Sequence, residues 1–356
     1  MRLSAFNEEK IMEEKNYTAA LVTAEHKGVY IVRLDGRDVP AVLTGKIQSE
    51  AASRLELPVV GDSVDVAVID GGAQAVIHGV RPRTSLLVRK GLEDSRDAAQ
   101  PVAANVAKVF IVMGLDGNFN IARLERLLVA AWDSGARPVV LLTKKDLCPP
   151  EELAARLDAA ALAAPGARVI GLCSLTGDGV AEVEAELAGG LRCCFVGSSG
   201  AGKSTLLNRL AGRQAAETAE VREDDSRGRH TTTARQLYFL PGGGQVIDTP
   251  GIREFGMELV AGGLQTSFSD ISELAAECRF GNCAHSGEPG CAVEAAVKAG
   301  TLSAERLANY HKLRRETERR EAAGDIRKRL ESKRKLRQFG RQVRDIGDNK
   351  RRLKGG

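Results

Sequence analysis

The strongest constraint in this sequence is a junction. The apolar run Leu191 to Val196 stops at Gly197-Ser-Ser-Gly-Ala-Gly-Lys-Ser204, and a helical pattern over Lys203 to Leu210 follows. The segment fits G-x-x-x-x-G-K-S in the strand, loop and helix context that this pattern requires. Its glycines let the backbone curl, so that successive N–H groups of Gly197, Ser198, Ser199, Gly200, Ala201, Gly202, Lys203, Ser204 and Thr205 can converge on an anion. Lys203 adds a point charge near the β- and γ-phosphates of a nucleotide, and Ser204 offers a hydroxyl to Mg²⁺. A chain built around such a loop must supply a buried parallel sheet with helices on it.

The preceding residues supply that pattern. Val106 to Leu115 is nearly all apolar, as a strand buried on both faces should be. Ile121, Leu124, Leu128 and Ala131 then recur at helical spacing, with Leu127 beside them and Trp132 as a core or core-edge anchor. Pro138 to Leu142 reads as a second buried strand, Leu153 to Ala163 as a helix, Ala167 to Leu172 as a strand and Val180 to Leu187 as a helix.

Three further elements lie at the ends of these strands. Asp248-Thr-Pro-Gly251, about 45 residues after the phosphate loop, matches the D-x-x-G element of GTPases. Its Asp248 would hold Mg²⁺ through water, and the Gly251 N–H would sense the γ-phosphate. Thr143-Lys144-Lys145-Asp146 resembles the [NT]-K-x-D element that reads guanine, with Thr143 where Asn is commoner. The Asp146 carboxylate can accept from both N1–H and the 2-amino group, and Lys144 would lie along the base plane. Cys173-Ser174-Leu-Thr-Gly177 resembles the loop whose backbone reaches O6. Ordinary GTPases place the base reader after the phosphate loop, whereas here it comes about 50 residues before. A circular permutation of one sheet explains the order, because ligands bind at strand ends wherever the chain is cut.

Residues 17–85 have a different texture. Ala19 to Thr23, Val29 to Leu34, Val39 to Leu43, Val64 to Ile69 and Ala75 to Val80 are short Val- and Ile-rich runs divided by turn residues. They fit a barrel of the OB type, and an SH3-like barrel or a sandwich fragment would share the pattern. Arg81-Pro-Arg83 and the polar run Glu93 to Gln100 read as the exit linker.

Charge divides the chain as sharply as hydropathy does. The formal net charge is +4, yet 19 basic and 7 acidic residues lie from Arg306 onward, leaving 32 basic and 40 acidic before it. An acidic body carries a basic tail, whose runs Arg327-Lys-Arg329 and Lys333-Arg-Lys335 suit phosphate contact with RNA. No run approaches the roughly 18 apolar residues of a membrane helix. Met1 to Lys10 lacks the apolar stretch of an export signal, so the cytoplasm is the expected compartment.

Seven cysteines argue against a disulfide framework. Three of them, with one histidine, form Cys278-x4-Cys283-x-His285-x5-Cys291 within 14 residues. That donor set suits one closed, tetrahedral, structural Zn²⁺ site. Cys148, Cys173, Cys193 and Cys194 read as structural.

A barrel, a permuted GTPase order, Gly228-Arg-His-Thr-Thr-Thr233 and the cysteine cluster together resemble the RsgA (YjeQ) family of small-ribosomal-subunit-dependent GTPases, over about Val59 to Leu313. The resemblance implies a multidomain protein: an extension (1–16), an OB-type domain (17–85), a circularly permuted P-loop GTPase domain (86–262), a helical zinc-binding domain (263–313) and a basic tail (314–356). It implies GTP and GDP as ligands and a cytoplasmic role in late maturation of the small ribosomal subunit, with rRNA contact. A monomer is expected. Ile252 follows D-x-x-G where many GTPases place a water-orienting Gln, so slow turnover that needs a partner is expected. His230 is the candidate to approach that water, and Thr232 the candidate to complete Mg²⁺ coordination, within a segment (213–233) read as a mobile switch. Two rival readings stand beside this one: a GTP-dependent rRNA-binding scaffold, and a P-loop enzyme acting on a small molecule.

Overall fold

The structure, a computed structural model, describes residues 17–26, 28–90, 99–212, 235–248, 261–319 and 322. It divides into two units, Met1–Glu273 and Leu274–Gly356.

The first unit opens with five strands: β1 (Thr18–His26), β2 (Val29–Leu34), β3 (Arg37–Leu43), β4 (Ser63–Ile69) and β5 (Gln74–Val80). They hydrogen-bond in the order β1-β2-β3-β5-β4, and β4 returns to β1, so the sheet closes on itself. The β3–β5 pair is parallel and the others antiparallel, which is the five-stranded connectivity of an OB-type barrel. Alternate residues fill its interior: Ala20, Val22, Tyr30, Val32, Val39, Ala41, Val64, Val66, Ala75 and Ile77 are all buried. A short helix α1 (Gly45–Glu50), capped by the Thr44 hydroxyl, fills the gap between β3 and β4. Nothing in the hydropathy pattern announces it.

The expected exit linker is structured in part, and Glu93 to Ala98 lie outside the described residues. Strand β6 (Leu86–Lys90) pairs antiparallel with β7 (Ala99–Ala104), so Ala99 and Gln100 belong to a strand. Arg83 is an anchor. Its guanidinium meets Asp62, which has no solvent exposure, at 2.8 and 2.7 Å, and also donates to the carbonyls of Leu55 and Leu57. The second Asp62 oxygen accepts the Val59 N–H at 2.8 Å. A bidentate, fully hydrogen-bonded pair is the arrangement in which a buried carboxylate is tolerable.

The remaining strands are β8 (Lys108–Gly114), β9 (Arg137–Thr143), β10 (Arg168–Gly171), β11 (Arg192–Val196), β12 (Arg235–Phe239) and β13 (Gln245–Asp248). They lie in the order β10-β9-β8-β11-β13-β12, parallel except for β12. Strand β8 shows why its sequence is apolar throughout. Val109, Ile111 and Met113 pack with α2 (Ile121–Asp133) and α3 (Pro150–Ala163) on one face. Phe110 and Val112 pack with α4 (Val180–Leu187) and α5 (Lys203–Ala211) on the other. Asn120 caps α2 by accepting the Arg123 N–H at 2.8 Å, and Pro150 with Glu151 and Glu152 starts α3. Trp132 is half-buried, and its indole N–H has no partner among the described residues.

Strand β12 also pairs with β1, joining barrel and parallel sheet into one eleven-stranded sheet. Arg192 reinforces this junction, donating to the Gly61 carbonyl at 2.8 Å and to the Gln245 side chain at 3.1 Å. Burial pushes its guanidinium below the ordinary value, with nearby Asp62 opposing. Helix α6 (Ala261–Ser267) packs on α2, where Gly263 allows close approach: a Cβ there would lie 2.2 Å from the Val129 carbonyl oxygen. Helix α7 (Ser269–Ala275) follows, and the second unit adds α8 (Ala292–Lys298) and a helix over 304–319. Among the described residues, no helix is long and apolar enough to cross a membrane.

Replacing Arg83 by Ala leaves Asp62 buried without its counter-charge, and the expected loss of unfolding free energy is about 3–5 kcal/mol in urea titrations. Adding Asp62→Asn should recover part of it. A loss under about 1 kcal/mol would mean that the pair behaves as a solvent-screened one.

Candidate nucleotide site and metal centre

The parallel strands end at a common edge, and the sequence motifs sit on it. Gly197 follows β11 with φ 153°, and a Cβ there would lie 2.1 Å from the Val112 carbonyl oxygen, so only glycine lets the phosphate loop pass β8. Gly202, at φ 90°, turns the chain into α5. Lys203 folds back, its ammonium donating to the carbonyls of Gly197 and Ser198 at 2.7 Å each. Ala201 is buried, and Ser204 and Thr205 lie half-buried in the first turn of α5. Asp248 ends β13, next to β11.

The T-K-K-D element stands at the end of β9. Thr143 is 1% exposed, and its hydroxyl donates to the Ala201 carbonyl at 2.6 Å. A threonine therefore ties this loop to the phosphate loop. Lys144 adopts the left-handed conformation, φ 58°, and its ammonium meets Asp116 at 2.6 Å. Burial acts to raise the Asp116 carboxyl, but hydrogen bonds from Lys144 and the Asn118 N–H hold it below its ordinary value. Lys145 pairs with Asp178 at 2.8 Å, and its N–H donates to the Leu172 carbonyl at 3.2 Å. Asp146 is exposed.

The loop after β10 completes the edge. Cys173 N–H donates to the Asp178 carbonyl and Gly177 N–H to the Cys173 carbonyl, each at 2.9 Å. The Ser174 hydroxyl is buried with no partner among the described residues. A buried hydroxyl without a partner is costly, so this orphaned group makes the loop one that suits a polar ligand. Motif reading missed Asp116 and Asp178, because neither lies in a recognisable pattern. The only available signal was their position just beyond buried strands. His230, Thr232 and Gly251, together with the expected switch, lie outside the described residues.

The second unit holds the cysteine cluster. Donor atoms of Cys278, Cys283, His285 and Cys291 all lie within 4.8 Å of one another. Cys278 and Cys291 sulfurs are 3.9 Å apart, and His285 Nδ1 is 3.6 and 3.5 Å from them. A tetrahedron with Zn–S near 2.3 Å and Zn–N near 2.0–2.1 Å has S···S edges of about 3.8 Å and S···N edges of about 3.6 Å. The cluster thus has the size and donor set of a zinc site, with Nδ1 as the imidazole donor.

The surrounding contacts favour ligation. Burial, with Arg314 and His311 nearby, lowers the His285 pKa and favours the neutral ring. His285 has φ 59°, and the loop carrying it is pinned from both sides. Glu288 accepts the N–H groups of Ala284 and Ser286 at 2.9 and 2.7 Å, bonds that draw its carboxyl down to about 2. From helix 304–319, His311 bonds the His285 carbonyl at 3.0 Å and Arg314 the Ala284 carbonyl at 3.3 Å.

Comparison with known proteins agrees with this architecture. The RsgA GTPase family profile matches residues 80–258. The small ribosomal subunit biogenesis GTPase RsgA 2 of Lactiplantibacillus plantarum is 44% identical over 306 residues, covering 86% of this chain and 85% of its own. RsgA of Opitutus terrae is 43% identical over 314 residues, covering 85% and 84%. Among solved structures, YjeQ from Thermotoga maritima superposes with a TM-score of 0.63 at 25% identity, over 85% of this chain and 98% of its own. YloQ, described as a circularly permuted GTPase, gives 0.61 at 23% identity, over 87% and 98%. With these matches spanning the barrel, the permuted sheet and the Cys₃His cluster, the chain belongs to the RsgA family of circularly permuted GTPases, which are GTP hydrolases.

Proposed function

We propose that this protein binds the small ribosomal subunit in the cytoplasm and acts in its late maturation, hydrolysing GTP with turnover that the subunit stimulates. The observation that carries the reading is the coincidence of two things. The chain is 44% identical to a small-subunit biogenesis GTPase over most of both lengths, and its phosphate loop and T-K-K-D element are hydrogen-bonded to each other at one sheet edge.

In this reading Asp146 accepts from N1–H and the 2-amino group of guanine, a pair of donors that adenine lacks. Lys144 lies along the base plane, and the backbone of Ser174 reaches O6. The amides of residues 197–205 and the Lys203 ammonium surround the phosphates, with the ammonium exchanging its two loop carbonyls for phosphate oxygens. Ser204 and Asp248 supply hard oxygen donors suited to Mg²⁺, which when bound neutralises charge on the β- and γ-phosphates. Water attacks the γ-phosphorus, the bond to the β-γ bridging oxygen breaks, and GDP leaves with that oxygen. Gly251 N–H would sense the γ-phosphate, and Thr232 would be a further oxygen donor to the metal. Ile252 cannot orient the water, which leaves His230 as the candidate for that task once the subunit is bound.

The Cys₃His cluster takes one structural zinc, held by Cys278, Cys283, His285 and Cys291. With four protein donors it has no open position for chemistry. The basic residues from Arg306 onward supply phosphate contacts to rRNA.

Three results are expected. Steady-state GTP hydrolysis should rise when small subunits are added, and ATP hydrolysis should not; turnover that responds to a metabolite instead would favour the small-molecule reading. Asp146→Asn should lower GTP affinity at least about 100-fold, because a site built for two donors is left with one mismatched partner. It should favour xanthosine triphosphate, whose 2-oxo group accepts from the new amide. Purified protein should contain one zinc per chain by elemental analysis, and Cys283→Ser should lose it and expose residues 274–319 to protease; a metal-free but protease-resistant protein would contradict the zinc assignment.

A further inference from the structure

The base-reading loop contains two adjacent lysines, and the structure gives them different partners. Lys145 is tied sideways to Asp178 in the next loop. Lys144 reaches back from the end of β9 to Asp116, just past the end of β8. We propose that Asp116 is a positioning residue of the nucleotide site: it holds the aliphatic stem of Lys144 across the edge of these two strands, where the face of the base will rest. The proposal rests on the guanine reading of Thr143 to Asp146 and adds to it a residue outside the motif.

Several features fix Asp116 in this role. The strand ends are locked in register, Gly114 opposite Thr143, with the Leu115 N–H donating to the Thr143 carbonyl at 2.8 Å. Asp116 Oδ1 accepts the Asn118 N–H at 3.0 Å, which leaves Oδ2 for the Lys144 ammonium at 2.6 Å. Gly114 makes room for this carboxylate, since a Cβ there would lie 2.7 Å from Asp116 Oδ1. Both side chains are mostly shielded, at 26% and 22% exposure, so the pair is screened less than a surface one. Lys144 holds a left-handed backbone that L-residues adopt only at a cost, so its direction is imposed by the loop. A lysine stem free to rotate would have to be ordered by each incoming nucleotide. Anchored at its tip, it meets the base already extended.

Equilibrium titration with a fluorescent GDP, together with steady-state GTP kinetics, tests this on the full chain. Asp116→Ala should weaken GDP binding about three- to tenfold, the cost of ordering one long side chain. The change should fall in KM for GTP rather than in kcat. Asp116→Asn keeps the shape of the site and an oxygen that accepts from the ammonium, so it should restore most of the affinity. It also serves as the informative variant if Asp116→Ala folds poorly. Lys144→Ala should weaken binding by itself, and adding Asp116→Ala to it should cost nothing more. Unchanged affinity in Asp116→Ala would overturn the proposal, as would an undiminished further loss in the Lys144→Ala background. Asp146→Asn run in parallel separates the two levels: full GDP affinity there would remove the guanine reading itself.

Discussion

The described motifs of the first unit depend on the parallel register of β8, β9, β10, β11 and β13. A parallel strand buried on both faces can satisfy its backbone only through its neighbours, and that requirement brings all the carboxyl ends to one edge. Gly114, Thr143, Val196 and Asp248 are the last residues of β8, β9, β11 and β13, and the T-K-K-D, G-x-x-x-x-G-K-S and D-x-x-G motifs begin at or just after the last three. Because the edge is defined by hydrogen bonding and not by chain order, permuting the connections leaves it intact. The Thr143–Ala201 bond illustrates the point: it joins residues 58 apart in sequence, from loops whose usual order along the chain is reversed. The phosphate loop in turn requires Gly197, since any side chain there would collide with the Val112 carbonyl of the neighbouring strand.

The barrel is continuous with this sheet. Antiparallel pairing of β1 with β12 extends one hydrogen-bond network from the nucleotide edge into the barrel wall, and the Glu25–Arg235 ion pair at 3.2 Å lies on that seam. Burial lowers the Arg235 pKa, while Glu25 works in the opposite direction. Arg192 crosses from β11 to the Gly61 carbonyl, next in sequence to the Asp62 that Arg83 holds. Three partly or largely buried guanidiniums thus meet carbonyls and carboxylates where two hydrophobic cores abut. Arginine suits that position because its planar fork can satisfy several acceptors at once and is less strongly hydrated than an ammonium.

What could be read from the sequence follows from what a local pattern encodes. The core strands were legible because burial on both faces forces continuous apolar runs such as Val106 to Leu115. The barrel strands were legible as strands that fit an OB-type barrel, but the pattern alone did not separate it from an SH3-like barrel or a sandwich fragment, since β3–β5 and β1–β4 are non-local pairs. Arg81 to Arg83 resembled a linker because a charged, Pro-containing segment carries no record of a buried carboxylate 21 residues away. The β6–β7 pair escaped notice because the sequence between its strands is polar, and α1 because it spans only six residues. At the proposed site, the motif residues stand out by spacing. Asp116 and Asp178 do not, because their contacts with Lys144 and Lys145 arise from how the strands and loops are placed.

The phosphate loop shows how a site can hold a charge before its ligand arrives. An isolated ammonium buried near apolar strands is costly, and Lys203 avoids that state by donating to the Gly197 and Ser198 carbonyls. These carbonyls belong to the same loop whose amides would face the phosphates. Nucleotide entry then exchanges one set of oxygens for another around the ammonium, and the difference in charge between carbonyl and phosphate oxygens provides the gain. The acidic character of the body, 40 acidic against 32 basic residues before Arg306, is therefore compatible with binding a polyanion. Positive potential is needed only within the loop, where backbone amides and one lysine supply it. The basic excess from Arg306 onward, 19 basic against 7 acidic residues, lies apart from that loop in sequence.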